Sequence, residues 1–338
     1  MEKLPLKNTK TIILVSDTCP PNTNGVSTTM KNYIKHIPEL GYDLICITPD
    51  GLPYFNCPFS NDVKLAYGLE FKKEYFDKSF AVHIMTEGTL GIQARKFCIR
   101  NDIKFTTSYL TMFPEYIQKH LLVPIWITRK YFKWFHEKSE KVFCCTEDLA
   151  NKLDWIKKEK AICTKGVDTQ LFCVKKKKES NIKTALYVGR ISREKNIDDF
   201  CKLNLPDIKI AIGDGPQLQE LKKKYPTVSF IGKLKPEELV EYYQNADVFV
   251  FPSKTDTYGL VMLEALACGT PVVGYPINGA LDLADNNTVF VDDDLNHAIS
   301  IAFDHADKNE ETYKNKMAQK SWMKSTEELC SQLIFNSV

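Results

Sequence analysis

The 338-residue chain contains no run of 18 apolar residues, which excludes a membrane-spanning helix. It also has little net charge. Its 45 Lys/Arg against 43 Asp/Glu leave +2, too little for a protein that holds nucleic acid through a strongly basic face. The start, MEKLPLKNTK, lacks the n-region, h-region and cleavage site of a secretory leader and runs directly into the apolar TIILVSD. A cytoplasmic chain is the expectation. Eleven cysteines are many, but none form a CxxC pair and the only close two are the adjacent Cys144 and Cys145. Reduced, mostly buried thiols are therefore expected in place of disulfides or a zinc site. No GxGxxG follows a strand: GDGP at 213–216 lacks the spacing, so a dinucleotide fingerprint is not supported.

What is present describes a globular chain of about two domains, with 43% apolar and 26% charged residues. Residues 1–170 carry a surplus of basic groups and the remainder a surplus of acidic ones. That asymmetry reads as a solvated lysine-rich face or as a preference for an anionic surface or substrate. Apolar runs alternate with helical stretches along the whole length. TIILVS, YDLICITP, AVHIMT, IKFTTSY and KVFCCT are the strands of the first half; TALYVGR, IKIAIGDG, VSFIGKL, ADVFVFPS and TPVVGYP are those of the second. Strand–helix alternation implies parallel α/β sheets, so the fold class is two doubly wound, Rossmann-like domains. Expected boundaries are 1–168 for the first domain, 169–182 for a lysine-rich linker, 183–315 for the second domain and 316–338 for a terminal helix that returns to the first. Open α/β sheets bind ligands beyond the carboxyl ends of their strands, which points the chemistry to an interdomain cleft.

The segment ADVFVFPSKTDTYGLVMLEALACGTPVVGYP, 246–276, reads as strand, loop, helix and strand. Gly259 at the helix start removes a Cβ, so a ligand phosphate can approach the amides of Gly259, Leu260 and Val261. Asp256 precedes the helix, and Glu264 lies about one and a half turns inside it. The two acids can meet parts of a ligand on either side of its phosphates; a plain helix cap with a surface Glu is the alternative. In VGRISREKN, Arg190 and Lys195 follow a strand, where two cations can clamp a diphosphate without metal. Solvated loop cations are the bland reading. In the first domain, PPNTNGVS puts Gly25 in the first βα loop, where bare backbone can approach a phosphate.

Together, SDTCPPNTNGVSTTM, TEGTLGIQARKFC, TTSYLTMFPEY, GVDTQLF, YVGRISREKNI, GDGP and the acidic segment resemble glycosyltransferase family 4, the retaining enzymes of GT-B architecture. Within that family the chain resembles bacterial mannosyl- and sulfoquinovosyl-type transferases. The resemblance implies that Arg190 and Lys195 hold the donor diphosphate as catalytic groups, with Asp256 orienting sugar hydroxyls. It further implies that Gly25, Gly213, Lys233, Tyr258, Gly259, Leu260 and Val261 bind the donor and that Glu264 bonds the ribose. The donor would be GDP-mannose or a UDP-hexose, the acceptor a hydroxyl of a glycan or lipid, with no metal or other cofactor needed. Two positions depart from the pattern. Asp256 stands where Glu is usual, and Leu110 stands where SYHTxFPEY has its histidine, which makes a nucleotide-sugar-binding pseudoenzyme the alternative reading. An epimerase or phosphorylase of the same architecture would need catalytic carboxylates or a cofactor lysine that cannot be identified.

Three features keep bland readings. Asp292, Asp293 and Asp294 read as a cap and turn before they read as a metal site. RKYFKWFHEKSEK, 129–141, mixes aromatics and lysines as membrane-surface helices do, but core packing of Phe132 and Phe135 is the preferred explanation and peripheral membrane contact the alternative. His83, His120 and His136 read as ordinary fold residues.

Overall fold

A computed structural model describes residues 10–22, 24–57, 60–71, 76, 79–175, 181–307 and 309–334. The chain divides into two compact units, 1–164 with 322–338, and 165–321. Most of the lysine run expected as a hinge, 176–180, lies outside the described residues.

The first unit is built on a six-stranded, all-parallel sheet. In chain order its elements are β1 (Thr11–Val15), α1 (Gly25–Glu39), β2 (Asp43–Ile47), β3 (Tyr54–Cys57), β4 (Ser60–Ala66), β5 (Ser79–Ile84), α2 (Thr89–Arg100), β6 (Thr106–Ser108), α3 (Phe113–Leu121), α4 (Ile125–His136), β7 (Lys141–Cys144), α5 (Glu147–Lys152) and β8 (Glu159–Ile162). The sheet order is β2-β1-β5-β6-β7-β8, and β3 and β4 form a separate antiparallel hairpin. β1 shows why the sheet is covered on both faces. Ile12 and Leu14 pack with Met30, Tyr33 and Ile37 of α1, and Ile13 and Val15 pack with Leu90, Ala94 and Cys98 of α2. Every side chain of TIILV is thus buried, as in a strand in the middle of a parallel sheet.

The second unit contains β9 (Thr184–Val188), α6 (Ile197–Cys201), β10 (Ile208–Ile212), α7 (Leu218–Lys224), β11 (Val228–Gly232), α8 (Pro236–Asn245), β12 (Val248–Phe251), α9 (Leu260–Ala267), β13 (Val272–Gly274), α10 (Asn278–Leu283), β14 (Val289–Val291), α11 (Leu295–His305) and α12 (Glu310–Ala318). Its parallel sheet runs β11-β10-β9-β12-β13-β14. A terminal helix, α13 (Trp322–Gln332), belongs to the first unit, where Leu329 and Cys330 join the cluster of α1 and the Glu328 carboxylate accepts from the Thr164 amide at 2.9 Å. Asp294 caps α11 by accepting from the Asn296 amide at 2.9 Å, and Asp292 accepts from the Asp294 amide at 2.8 Å. These two aspartates build the turn and cap.

In each sheet the strand order reverses at one point, between β1 and β5 in the first unit and between β9 and β12 in the second. Loops leaving adjacent strands diverge there, and the crevice between them is where open α/β sheets take ligands.

Candidate active site

In the second unit, the switch-point loops are Gly189–Asn196 after β9 and Pro252–Gly259 after β12. Each is shaped by its own residues. The buried Tyr187 donates its hydroxyl to the Arg190 carbonyl at 2.7 Å, folding the chain over Gly189 and leaving the Arg190 side chain exposed. A short 3-10 turn, Arg193–Lys195, follows, with Ser192 donating to the Glu194 carboxylate at 2.6 Å.

Two contacts tie the loops together. Thr255 donates its hydroxyl to the Glu194 carbonyl at 3.1 Å, and the Lys195 ammonium lies 2.5 Å from the Asp256 carboxylate. Both charged groups remain partly open to solvent, at 29% and 22%. They are half-buried, accessible and already paired.

Behind Asp256 the chain enters α9 through Gly259, at φ 87°, where a Cβ would stand 2.7 Å from the ring of Phe251. A left-handed residue at the helix entrance favours glycine, and the close approach of Phe251 adds to that preference. Among the described residues, the amides of Gly259, Leu260 and Val261 donate to no partner. They are the orphan donors of a helix start, carrying the positive end of its dipole.

Glu264 lies on the same helix and takes the buried Tyr243 hydroxyl on one carboxylate oxygen at 2.9 Å. Burial pushes its pKa up to about 7, against the Tyr243 hydrogen bond, which favours the charged form. Tyr243 was not visible as a partner in the sequence, because it comes from α8.

The remaining predicted residues separate. Gly213, after β10, is pressed against the neighbouring loop: a Cβ there would fall 1.8 Å from the Gly189 carbonyl oxygen. Its glycine is required by strand-end packing, whatever else the loop does. Lys233 is exposed just past β11, the edge strand, whose Gly232 carbonyl accepts from the Gly213 amide at 2.8 Å. Gly25 and Leu110 belong to the first unit. Gly25 is the exposed first residue of α1, beside the Asn24 cap that accepts from the Ser27 amide at 2.9 Å. Leu110 packs, partly buried, on the apolar cluster of Ile12, Leu14 and Met30. The side chain of His120 lies outside the described ones, whereas His83 bridges Thr106 and Ser108 at 2.8 Å each, as an ordinary fold residue does.

The switch point of the first unit holds two acids not singled out in the sequence. Asp17, after β1, accepts from the Leu90 amide at 2.8 Å and the Thr86 hydroxyl at 2.7 Å, and so caps α2. Gly88 is needed beside it, since a Cβ would meet the carboxylate at 2.5 Å. Glu87 is buried, with Oε1 3.3 Å from Nε2 of the buried His136. Burial pushes both carboxyls up, opposed at Asp17 by its hydrogen bonds and at Glu87 by His136.

Orphan amides and cations around one switch point suit a diphosphate. Residues 169–321 match the family described as glycosyl transferases group 1. The sulfoquinovosyl transferase SQD2 of Arabidopsis thaliana is 27% identical over 77% of this chain and 58% of its own length. The second unit thus carries a group 1 glycosyl transferase domain. This chain is also 27% identical to the alpha-monoglucosyldiacylglycerol synthase of Streptococcus pneumoniae, over 78% of its own length and 70% of that enzyme. In architecture it is a GT-B protein. The sucrose-phosphate synthase of Thermosynechococcus elongatus superposes with a TM-score of 0.77 at 17% identity, covering 95% of this chain and 98% of that one. The chain spans just under three fifths of the plant enzyme's length, 58%.

Proposed function

We propose that this glycosyltransferase moves a hexose from a nucleotide diphosphate sugar to a hydroxyl of a glycan or lipid, with retention of configuration and without a metal. The observation that carries the reading is the Lys195–Asp256 pair set beside the amides of Gly259, Leu260 and Val261. Lys195 released from Asp256, with Arg190 and a helix start, would offer charge stabilisation to a departing diphosphate, the service that a metal provides in other sites.

On this reading the donor phosphate draws Lys195 away from Asp256. The carboxylate then turns to the sugar hydroxyls while Arg190 completes the clamp. The bond between the anomeric carbon and the phosphate oxygen breaks, the acceptor oxygen bonds the same carbon from the same face, and its proton passes to the leaving phosphate. Glu264 would hold the ribose hydroxyls, with Tyr243 fixing its orientation. GDP-mannose and UDP-hexoses are the donor classes proposed. Relatives named for mannosyl, sulfoquinovosyl and glucosyldiacylglycerol transfer support sugar transfer to glycan or lipid acceptors, and a lipid acceptor brings peripheral membrane contact with it.

The test is donor consumption with purified protein, using UDP- and GDP-hexoses and a lipid-extract acceptor, in chelator. Release of nucleoside diphosphate with an axial linkage retained in the product supports the reading. Nucleotide binding with no turnover of any donor would instead establish the pseudoenzyme alternative that Leu110 raises, and turnover only with added divalent metal would overturn metal independence.

A further inference from the structure

The segment 122–134, LVPIWITRKYFKW, presents large apolar side chains to solvent on the surface of the first unit. Leu122 is 87% exposed, Trp126 67% and Ile127 44%. Leu122 is also held at φ 56°, a left-handed conformation in which Asn or Gly fits at lower cost. Neither the backbone nor the core gains from a leucine there.

Periodicity sorts α4 into two faces. Thr128, Phe132, Phe135 and His136 are buried, whereas Trp126, Lys130, Lys133 and Trp134 fall on the opposite face at i, i+4, i+7 and i+8. The helix contains no Asp or Glu. Arg129 is spent on Glu115 at 3.3 Å, but Lys130 and Lys133 have no ion pair among the described residues. Glu137, just past the helix, is the acid nearest this face in sequence. Trp134 is partly covered by the Arg95 guanidinium, 4.2 Å from its ring, which leaves Trp126 and Leu122 as the unshielded anchors.

We propose that this face docks the protein on an anionic lipid bilayer, with Leu122 and Trp126 entering the headgroup boundary and Lys130 and Lys133 meeting lipid phosphates. Tryptophan beside lysines on a helix otherwise anchored by a buried face is the pattern of helices that lie in the interfacial plane. Charge selects this occupant over a second copy of the chain, because a self-paired face would set its own cations against one another with no carboxylate on the helix to offset them. The inference deepens the peripheral contact proposed above and rests on it for its purpose, but its test needs no turnover.

The experiment is co-sedimentation of the full chain with vesicles of phosphatidylcholine, with and without about one third phosphatidylglycerol. Wild-type protein should bind only the anionic vesicles, more weakly as salt rises. Lys130→Glu with Lys133→Glu should weaken binding by at least about 25-fold, roughly fivefold per lost cation. Leu122→Asn, which suits the local backbone, combined with Trp126→Ser should weaken it by tenfold or more while the melting temperature and nucleoside diphosphate affinity stay at wild-type values. Absence of wild-type binding, or equal binding by the variants, overturns the proposal. So does a concentration-dependent dimer that the same variants abolish, without vesicle affinity. Vesicle binding by a protein that binds no nucleotide would sustain this face and remove the transferase reading instead.

Discussion

Lys195 and Asp256, 61 residues apart in the chain, meet at 2.5 Å and join the loops that leave β9 and β12. The pair is worth little as a structural fastener. Exposed pairs contribute about 0–1 kcal/mol, since two long side chains lose freedom and water screens the attraction. Its placement matters more, because it fixes a cation and a carboxylate at the switch point.

Lys195→Ala and Arg190→Ala are each expected to lower kcat by about 10² to 10³, as loss of a donor to developing charge does, with KM changing less. Asp256→Asn should lower kcat by a comparable factor. The Lys195→Ala/Asp256→Asn double variant should fall well short of the summed losses, since each change already disrupts the other's partner. Melting temperatures should change by no more than a few degrees. Additive losses in the cycle would show that the two side chains act independently.

Much of this arrangement was legible in advance. Apolar runs such as TIILV and VFVF are central strands because both faces of a parallel sheet are covered, and the loops that follow them fell where the strand order reverses. What escaped was pairing at long range or between unlike patterns. β8, EKAI, lacks an apolar run because it is an edge strand, and Tyr54–Asn56 of β3 are exposed, so neither carries the buried-strand signature. The Asp17 cap draws its donors from residues 69 to 74 positions away, and Tyr243 reaches Glu264 from another helix. No local spacing encodes such contacts. A glycine's role is also ambiguous in sequence: the resemblance assigns Gly213 to the donor, and packing against the Gly189 carbonyl by itself requires a glycine there.

The glycines separate packing from binding. Gly213→Ala would place a methyl 1.8 Å from the Gly189 carbonyl oxygen, backbone against backbone, so the loops must part. The expected cost is about 3 kcal/mol or more, a drop in melting temperature of roughly 6 to 12 °C. Gly259→Ala meets the mobile ends of Phe251 and Met262 and a φ of 87°, for which about 1–3 kcal/mol is expected. Thermal unfolding of both variants checks the order. A Gly259→Ala protein less stable than Gly213→Ala would contradict it.

A nucleoside diphosphate should stabilise the protein in chelator as well as it does with magnesium. At 100 times its dissociation constant a ligand specific for the folded state contributes about 2.7 kcal/mol, which a melting curve resolves readily. The shift should shrink in Arg190→Ala and Lys195→Ala and should survive in Leu110→His, whose side chain belongs to the first unit. Stabilisation that vanishes with chelator would place the diphosphate on a metal.

Glu264 supplies a pH signature. Its pKa is raised to about 7 by burial, so between pH 6 and 8 it passes from largely neutral to largely charged. The sign for stability follows: a carboxyl raised in the fold is most favourable below its unfolded pKa of about 4.3, and its contribution falls as pH climbs towards 7, then levels off. Binding runs the other way. Ribose hydroxyls that donate to Glu264 favour its charged form, so affinity for a nucleotide sugar should rise with pH, by up to tenfold per unit below 7, and flatten above it. A nucleotide sugar is the right probe because its diphosphate carries no terminal group that titrates in this range. Glu264→Gln should bind more weakly at pH 8 and lose the slope, and Tyr243→Phe should raise the inflection by removing the hydrogen bond that favours the carboxylate. Isothermal titration across pH 5.5–8.5 measures all three. A slope that persists in Glu264→Gln would mean that another group senses the proton and that the ribose lies elsewhere.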